Sequence, residues 1–339
     1  MTHPGPRNLI TDVKGLRVGQ AEDATARTGV TVLLTEASCA AAVDVRGGAP
    51  GTRETETLDP VSLGGIVDAI TLAGGSVYGL DAASGAMAWL GTRGRGFQFA
   101  PNTPTAPIVP AAIIFDLLNG GKKDWGETPP YRALALDAIA HAGEDFALGN
   151  HGAGLGARSG FYKGGTGSAS AVTDDGFTVG ALAIVNSVGS PIIPGTDVFW
   201  AFPYEQNAEF GGRRLEAKFS GIDLDLPDDI KGGAPASANT TIAVVATDAD
   251  LTRVELKRLA IMAADGFARA LRPVHAPTDG DTVFALSTAK RALPEPRFKS
   301  IMRMGSLAAD CLARAIARGV YAAETIGEMK SYNDVFSRR

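Results

Sequence analysis

The 339-residue chain has little of what metal and cofactor sites are usually built from. Its two cysteines, Cys39 and Cys311, sit in apolar or helical contexts and suggest neither a disulfide framework nor a thiolate metal site. The four histidines, His3, His141, His151 and His275, are scattered, with no His-x-x-x-His pair, so no metal is expected. The G-x-S-x-G nucleophile elbow is missing, which counts against a Ser-His-Asp hydrolase. Walker and Rossmann glycine patterns are missing too, and no cofactor is expected. No apolar run reaches the roughly 18 residues of a membrane helix. The stretch Met1 to Asn8 lacks the apolar core of a signal peptide, so a cytoplasmic location and no membrane partner are the default expectation. A net charge of -5 and a pI near 5.5 argue against nucleic acid as a partner.

What is present suits a globular protein. The chain is 45% hydrophobic and 20% charged, enough for a sizeable core in one large domain or two smaller ones. Short strands are expected at 16–18, 29–34 and 40–45, followed by a turn-rich loop from Arg46 to Glu54. Helices are expected at about 60–72 and 78–91, separated by Gly74-Gly75, and another near 130–143. Strand signals recur at 108–115, 177–185, 240–247 and 282–286. The capping box Thr252-Arg253-Val254-Glu255 opens a helix that Pro273 stops, and a last long helix covers 300–320. This order fits helices packed outside sheets in an α/β layered domain. The segment Lys231 to Ala238 has no periodicity and reads as an accessible linker.

The most informative stretch follows that linker. Asn239-Thr240-Thr241-Ile242 puts a hydroxyl residue at the start of a buried strand. A threonine hydroxyl is a weak nucleophile unless a base takes its proton. Cutting the Asn239–Thr240 bond would supply one, because the new α-amine has a reference pKa of about 7.7–8.0. The alternative is a turn Asn before an ordinary strand.

Other residues fit around such a centre. Asp279-Gly280-Asp281 precedes a strand and places two carboxylates on one side of an extended chain, able to face a cation such as a new α-ammonium, or else to form a solvated turn. Asn186 ends a very apolar strand, where its amide can donate to an oxyanion or serve local turn bonding. Lys163 precedes rather than follows the glycines of Phe161–Gly167, so a cation that polarises a carbonyl or restrains an amine pKa suits it better than phosphate binding.

Together and in this order, these pieces resemble the DmpA-type aminopeptidases and the related nylon-oligomer hydrolases, which are self-cleaving N-terminal-nucleophile amidases. The resemblance rests on Arg46–Glu54, Gly74–Ala82, Gly152–Gly154, Lys163–Gly165, Val185-Asn186, Asn239–Ile242 and Asp279–Ala285, and it runs over nearly the whole chain. It implies a four-layer αββα sandwich formed by one domain over 1–339. It also implies a precursor that cuts itself into 1–239 and 240–339, fragments that stay together in a homo-oligomer, a tetramer of processed protomers. Carried over by position, Thr240 would be the nucleophile with its own amine as base, and Asn186 the oxyanion amide. Lys163, Asp279 and Asp281 would orient Thr240 and its charge, while Phe115 and Tyr78 would meet the substrate. The aminopeptidase branch uses Ser with a Ser/Glu pair downstream; Thr240 and the two Asp stand nearer the nylon-oligomer branch. Relatives can carry a Tyr where Phe115 stands, so any hydrogen bond from that position is lost here.

The expected function is hydrolysis of a peptide or small linear amide through an acyl-Thr240 ester. An N-acyltransferase of the ornithine/glutamate type is the enzymatic alternative, distinguished by making acetylglutamate from acetylornithine and glutamate. A non-catalytic binding protein on the same fold is the other, and it would have no need of this constellation.

Overall fold

The computed structural model describes residues 2–219, 221–223, 225–231 and 239–336. Strands β1 (Leu16–Asp23), β2 (Thr28–Val45), β3 (Thr52–Arg53) and β4 (Ile66–Ala73) come first. They are followed by α1 (Asp81–Gly91), β5 (Ala111–Ile113) and α2 (Tyr131–Ala140). Next come β6 (Arg158–Ser159), β7 (Tyr162–Lys163), β8 (Gly165–Val172), β9 (Thr178–Asn186) and β10 (Thr240–Ala249). The chain closes with α3 (Arg253–Ala263), α4 (Asp265–Ala270), β11 (Thr282–Arg291), α5 (Arg297–Tyr321) and α6 (Tyr332–Phe336).

Among the described residues the main sheet runs β3-β5-β4-β2-β11-β10-β9-β8, with β1 also paired to β2. β2 makes this one sheet serve as two layers. Its first half pairs with β1 and β4, its last residues pair with β11, and the register shifts between Leu34 and Cys39. Side-chain alternation along the strands then sorts three cores. Ala243 and Val245 of β10 face α3, α4 and α5, against Leu259, Phe267, Leu312 and Ile316. Ile242 and Val244 face the other way, onto Leu33 of β2 and Ile70 and Leu72 of β4. Val30 and Val32 of β2 bury Ala86 and Leu90 of α1 and Ile139 of α2. Helices, sheet, sheet, helices: the fold is the four-layer αββα sandwich, each large buried aliphatic in it contributing about 1.5–3 kcal/mol.

Several expected elements shift. The helix expected at 60–72 is instead β4, buried at seven of its eight positions, so its apolar run satisfies two cores rather than one helical face. The strands expected at 29–34 and 40–45 are one strand bent at its middle. Gly165–Val172 is a further strand, not among those expected; Gly165 and Gly167 lie against the Gly319 and Ala315 carbonyls of α5, and a side chain would collide there. The expected linker falls mainly on residues 232–238, outside the described residues.

Candidate active site

Sheet topology gathers the site. β9 and β10 are antiparallel, so the end of one lies beside the start of the other, and Asn186 faces Thr240 across the ladder. β10 and β11 are parallel, so the residues leading into β11 reach the same end, where Asn239 forms a bridge with Asp279. β8 joins β9 at Gly165 opposite Val185, which brings Lys163 to this end as well. Four separate stretches of sequence thus meet at one edge of the core.

Thr240 is buried, and its Oγ donates to the carbonyl of Asn239, the residue before it. That carbonyl also accepts the Gly280 N–H at 2.8 Å. Asp281 accepts the Thr241 N–H at 2.8 Å through Oδ1, while Oδ2 takes the His275 N–H at 3.1 Å and Nδ1 at 2.9 Å. Asp279 accepts from the Val188 and Ala276 amides at 3.2 and 3.1 Å. Burial raises the Asp279 carboxyl to about 6, and the neighbouring Asp281 charge adds to the rise. Among the described residues neither carboxylate bonds the Thr240 side chain; both fix the backbone around it. The Arg46–Glu54 loop buttresses them, with the Ala49 N–H on the Asp279 carbonyl at 2.8 Å. Gly47 must be glycine for this approach, since a Cβ there would lie 2.3 Å from that carbonyl oxygen.

The Asn186 side chain is held at both ends. Its Oδ1 accepts from the Arg158 amide at 3.0 Å and from Lys231 Nζ at 2.9 Å, and its Nδ2 donates to the Phe115 carbonyl at 3.2 Å. Lys163 is fully buried and donates to the Gly154 and Gly164 carbonyls at 2.8 and 2.7 Å. Burial lowers its amine to about 7. No hydrogen bond joins it to Thr240 among the described residues. Burial pushes Lys231 well below the usual lysine range, with the Arg158 guanidinium adding to the shift.

A cavity of about 650 Å³ opens onto this edge, lined among others by Phe115, Asp116, Arg158, Asn186, Lys231 and Asn239. Asp116 is buried, accepting from Thr28 Oγ at 2.6 Å and the Gly75 N–H at 2.8 Å, and burial raises its carboxyl. Phe115 is therefore at the site. Tyr78 does not line this cavity; it is exposed and packs edge-on against Trp125. Sequence reasoning missed Lys231, Arg158, Asp116 and the His275–Asp281 pair. Lys231 was hidden at the head of an aperiodic segment, and His275 at a turn where only the fold reveals its partner. Among the described residues no group of three or more His, Cys, Asp or Glu is placed to hold a metal ion, and no helix is long and apolar enough to cross a membrane.

The family model of Peptidase family S58 matches residues 8–333. An uncharacterized aminopeptidase of Mycobacterium tuberculosis is 44% identical over 346 residues, covering 97% of this chain and 98% of the relative. A 6-aminohexanoate-oligomer endohydrolase of Kocuria is 30% identical over 306 residues, covering 86% and 78%. Among solved structures, a Burkholderia beta-aminopeptidase superposes with a TM-score of 0.70 at 23% identity, covering 98% of this chain and 91% of its own. An Ochrobactrum anthropi L-aminopeptidase D-Ala-esterase/amidase, described as a variant of the Ntn hydrolase fold, does so with 0.70 at 24%, covering 96% and 89%. Family, fold and the gathered strand ends agree: the chain belongs to peptidase family S58 and is a hydrolase acting on peptide or amide bonds.

Proposed function

We propose that the chain is a precursor that cuts itself between Asn239 and Thr240 and then hydrolyses peptide or linear amide bonds with Thr240 as N-terminal nucleophile. The observation that carries this reading is the Thr240 hydroxyl bonded to the carbonyl of the very bond to be broken. In the mature enzyme the freed α-amine takes the Oγ proton, Oγ attacks the substrate carbonyl, and the leaving amine departs with a proton. Water then hydrolyses the acyl ester. The Asn186 amide donates to the developing oxyanion in exchange for its 3.2 Å bond to the Phe115 carbonyl. Asp279 and Asp281 hold the strand start and offset the ammonium, and buried Lys163 fixes the Gly154 and Gly164 turns beside it. Phe115 meets the substrate in the cavity. Relatives named as aminopeptidases and as a 6-aminohexanoate-oligomer hydrolase support amino-terminal peptides and linear ω-amino amides as the substrates to try first. On resemblance alone the reading extends to a cytoplasmic homo-oligomer of processed protomers.

Intact mass of the purified protein tests this before any substrate is known. Wild type should resolve into two fragments, the smaller spanning 240–339, and Thr240→Ala should stay whole. Equal processing of both chains would point to an outside protease instead.

A further inference from the structure

We infer that the main-chain N–H of Gly280 is the oxyanion donor of the self-cleavage step, a role separate from that of the Asn186 amide in turnover; this rests on the self-cleavage reading above. Among the described residues, the Asn239 carbonyl oxygen accepts from the Thr240 hydroxyl that would attack and from the Gly280 N–H at 2.8 Å. Among the described residues, the Asn186 amide does not bond this oxygen. Its Nδ2 donates to the Phe115 carbonyl, and its Oδ1 is taken by Arg158 and Lys231.

The donor is fixed in place before reaction. The Asn239 N–H donates to the Thr278 carbonyl at 2.9 Å, completing a parallel bridge that holds Asn239 flat against residues 278–280. The same loop is anchored through the Asp279 carboxylate on the Val188 and Ala276 amides and through the Ala49 N–H on the Asp279 carbonyl. Donors held this way need no reorganisation as charge develops. Glycine is required at 280 because a Cβ there would lie 2.7 Å from Thr240 Oγ and 2.8 Å from the Ala49 carbonyl. Any side chain would crowd the Thr240 hydroxyl.

The chemistry explains the separate roles. Thr240 Oγ adds to the Asn239 carbonyl carbon, and the carbonyl π pair moves to the oxygen held by Gly280. The C–N bond then breaks, the hydroxyl proton ends on the leaving nitrogen, and an Asn239 ester of Thr240 remains. Water cleaves the ester, giving an Asn239 carboxylate and restoring the hydroxyl. In this step the reacting carbonyl is tied to the nitrogen of Thr240 itself. In turnover that nitrogen is a free amine and the substrate carbonyl has no such tether, so a donor placed for one is not thereby placed for the other.

The test replaces Gly280 with glycolic acid in the full chain made by cell-free synthesis, which turns the Asp279–Gly280 amide into an ester, removes that N–H and leaves the Asp279 carbonyl in place as a weaker acceptor for the Ala49 N–H. Release of the 240–339 fragment should slow by about 10²–10³-fold. Asn186→Ala should slow release by no more than about tenfold while its turnover suffers the larger loss. Near-UV circular dichroism against the Thr240→Ala chain checks folding. A folded glycolate chain that cleaves within about threefold of wild type overturns the assignment. So does a folded Asn186→Ala chain whose cleavage falls about 10²-fold or more, and this arm decides alone if the glycolate chain does not fold. Wild type that stays whole sinks the self-cleavage reading itself, whereas wild type and glycolate chains cleaving alike sink only the donor.

Discussion

Asn186 stands directly opposite Thr240 in the antiparallel β9/β10 ladder, the last residue of one strand against the first of the other. Cross-strand neighbours of this kind are about 4.5–5.5 Å apart at Cβ, so the pairing brings the Asn186 amide beside Thr240, the proposed nucleophile, without any loop having to place it. Asn186→Ala should lower kcat of the mature enzyme by about 10²–10³ with a smaller effect on KM. Steady-state kinetics normalised to the processed fragment would read this, and near-normal turnover would reduce Asn186 to a turn residue.

Lys231 bonds both the carbonyl and the Oδ1 of Asn186, at 3.1 and 2.9 Å, and so sets which way the amide faces. Lys231→Met keeps the length of the side chain and removes both bonds. The expected result is a kcat about 10–100-fold lower with KM nearly unchanged, because orientation is lost while the cavity is kept. A change confined to KM would make Lys231 a substrate contact instead.

Asp279 gives a pH signature in the uncut chain. Its carboxyl titrates at about 6 in the fold against 3.8 as the ordinary value, so between these limits the folded chain holds a proton that the unfolded chain has released. The stability this contributes is present below pH 3.8 and is lost as pH rises through about 6. In a Thr240→Ala background, where no new ammonium can arise, Asp279→Asn should remove that decline. The Tm difference between double and single variant should therefore drift in favour of the double variant from pH 4 to pH 7, by at most about 3 kcal/mol in stability. Parallel Tm profiles would show that Asp279 ionises without penalty.

The sequence made the reacting edge legible because its parts end or begin strands. Asn186, Thr240 and the 279–281 acids each flank a long apolar run, and a run of that kind announces its own terminus. Long-range neighbours are a different matter. Nothing local tells that Lys231 reaches Asn186, that Asp116 is wrapped by Gly75 and Thr28, or that His275 closes on Asp281. The misread stretch Ile66–Ala73 has the same origin: a strand buried on both faces loses the alternation that would distinguish it from a helix. Tyr78 follows Gly74-Gly75 in a well-matched motif; in the fold the Gly75 amide of that motif bonds Asp116, and the Tyr78 ring packs edge-on against Trp125.

Strand β10 lies between β9, which precedes residue 239, and β11, which follows it. One flank of β10 would thus belong to each product of the proposed cut, and eight residue pairs from Thr240↔Asn186 to Thr247↔Val179 would become contacts between two molecules. Folding of the intact chain is a first-order event, but reassembly of the cut one is second-order and depends on protein concentration. If the chain cuts itself as proposed, a dilute sample denatured after cleavage should therefore regain its structure more slowly, and less completely, than the uncut Thr240→Ala chain, and the proposed cut would make the fold a one-way product of its own biosynthesis.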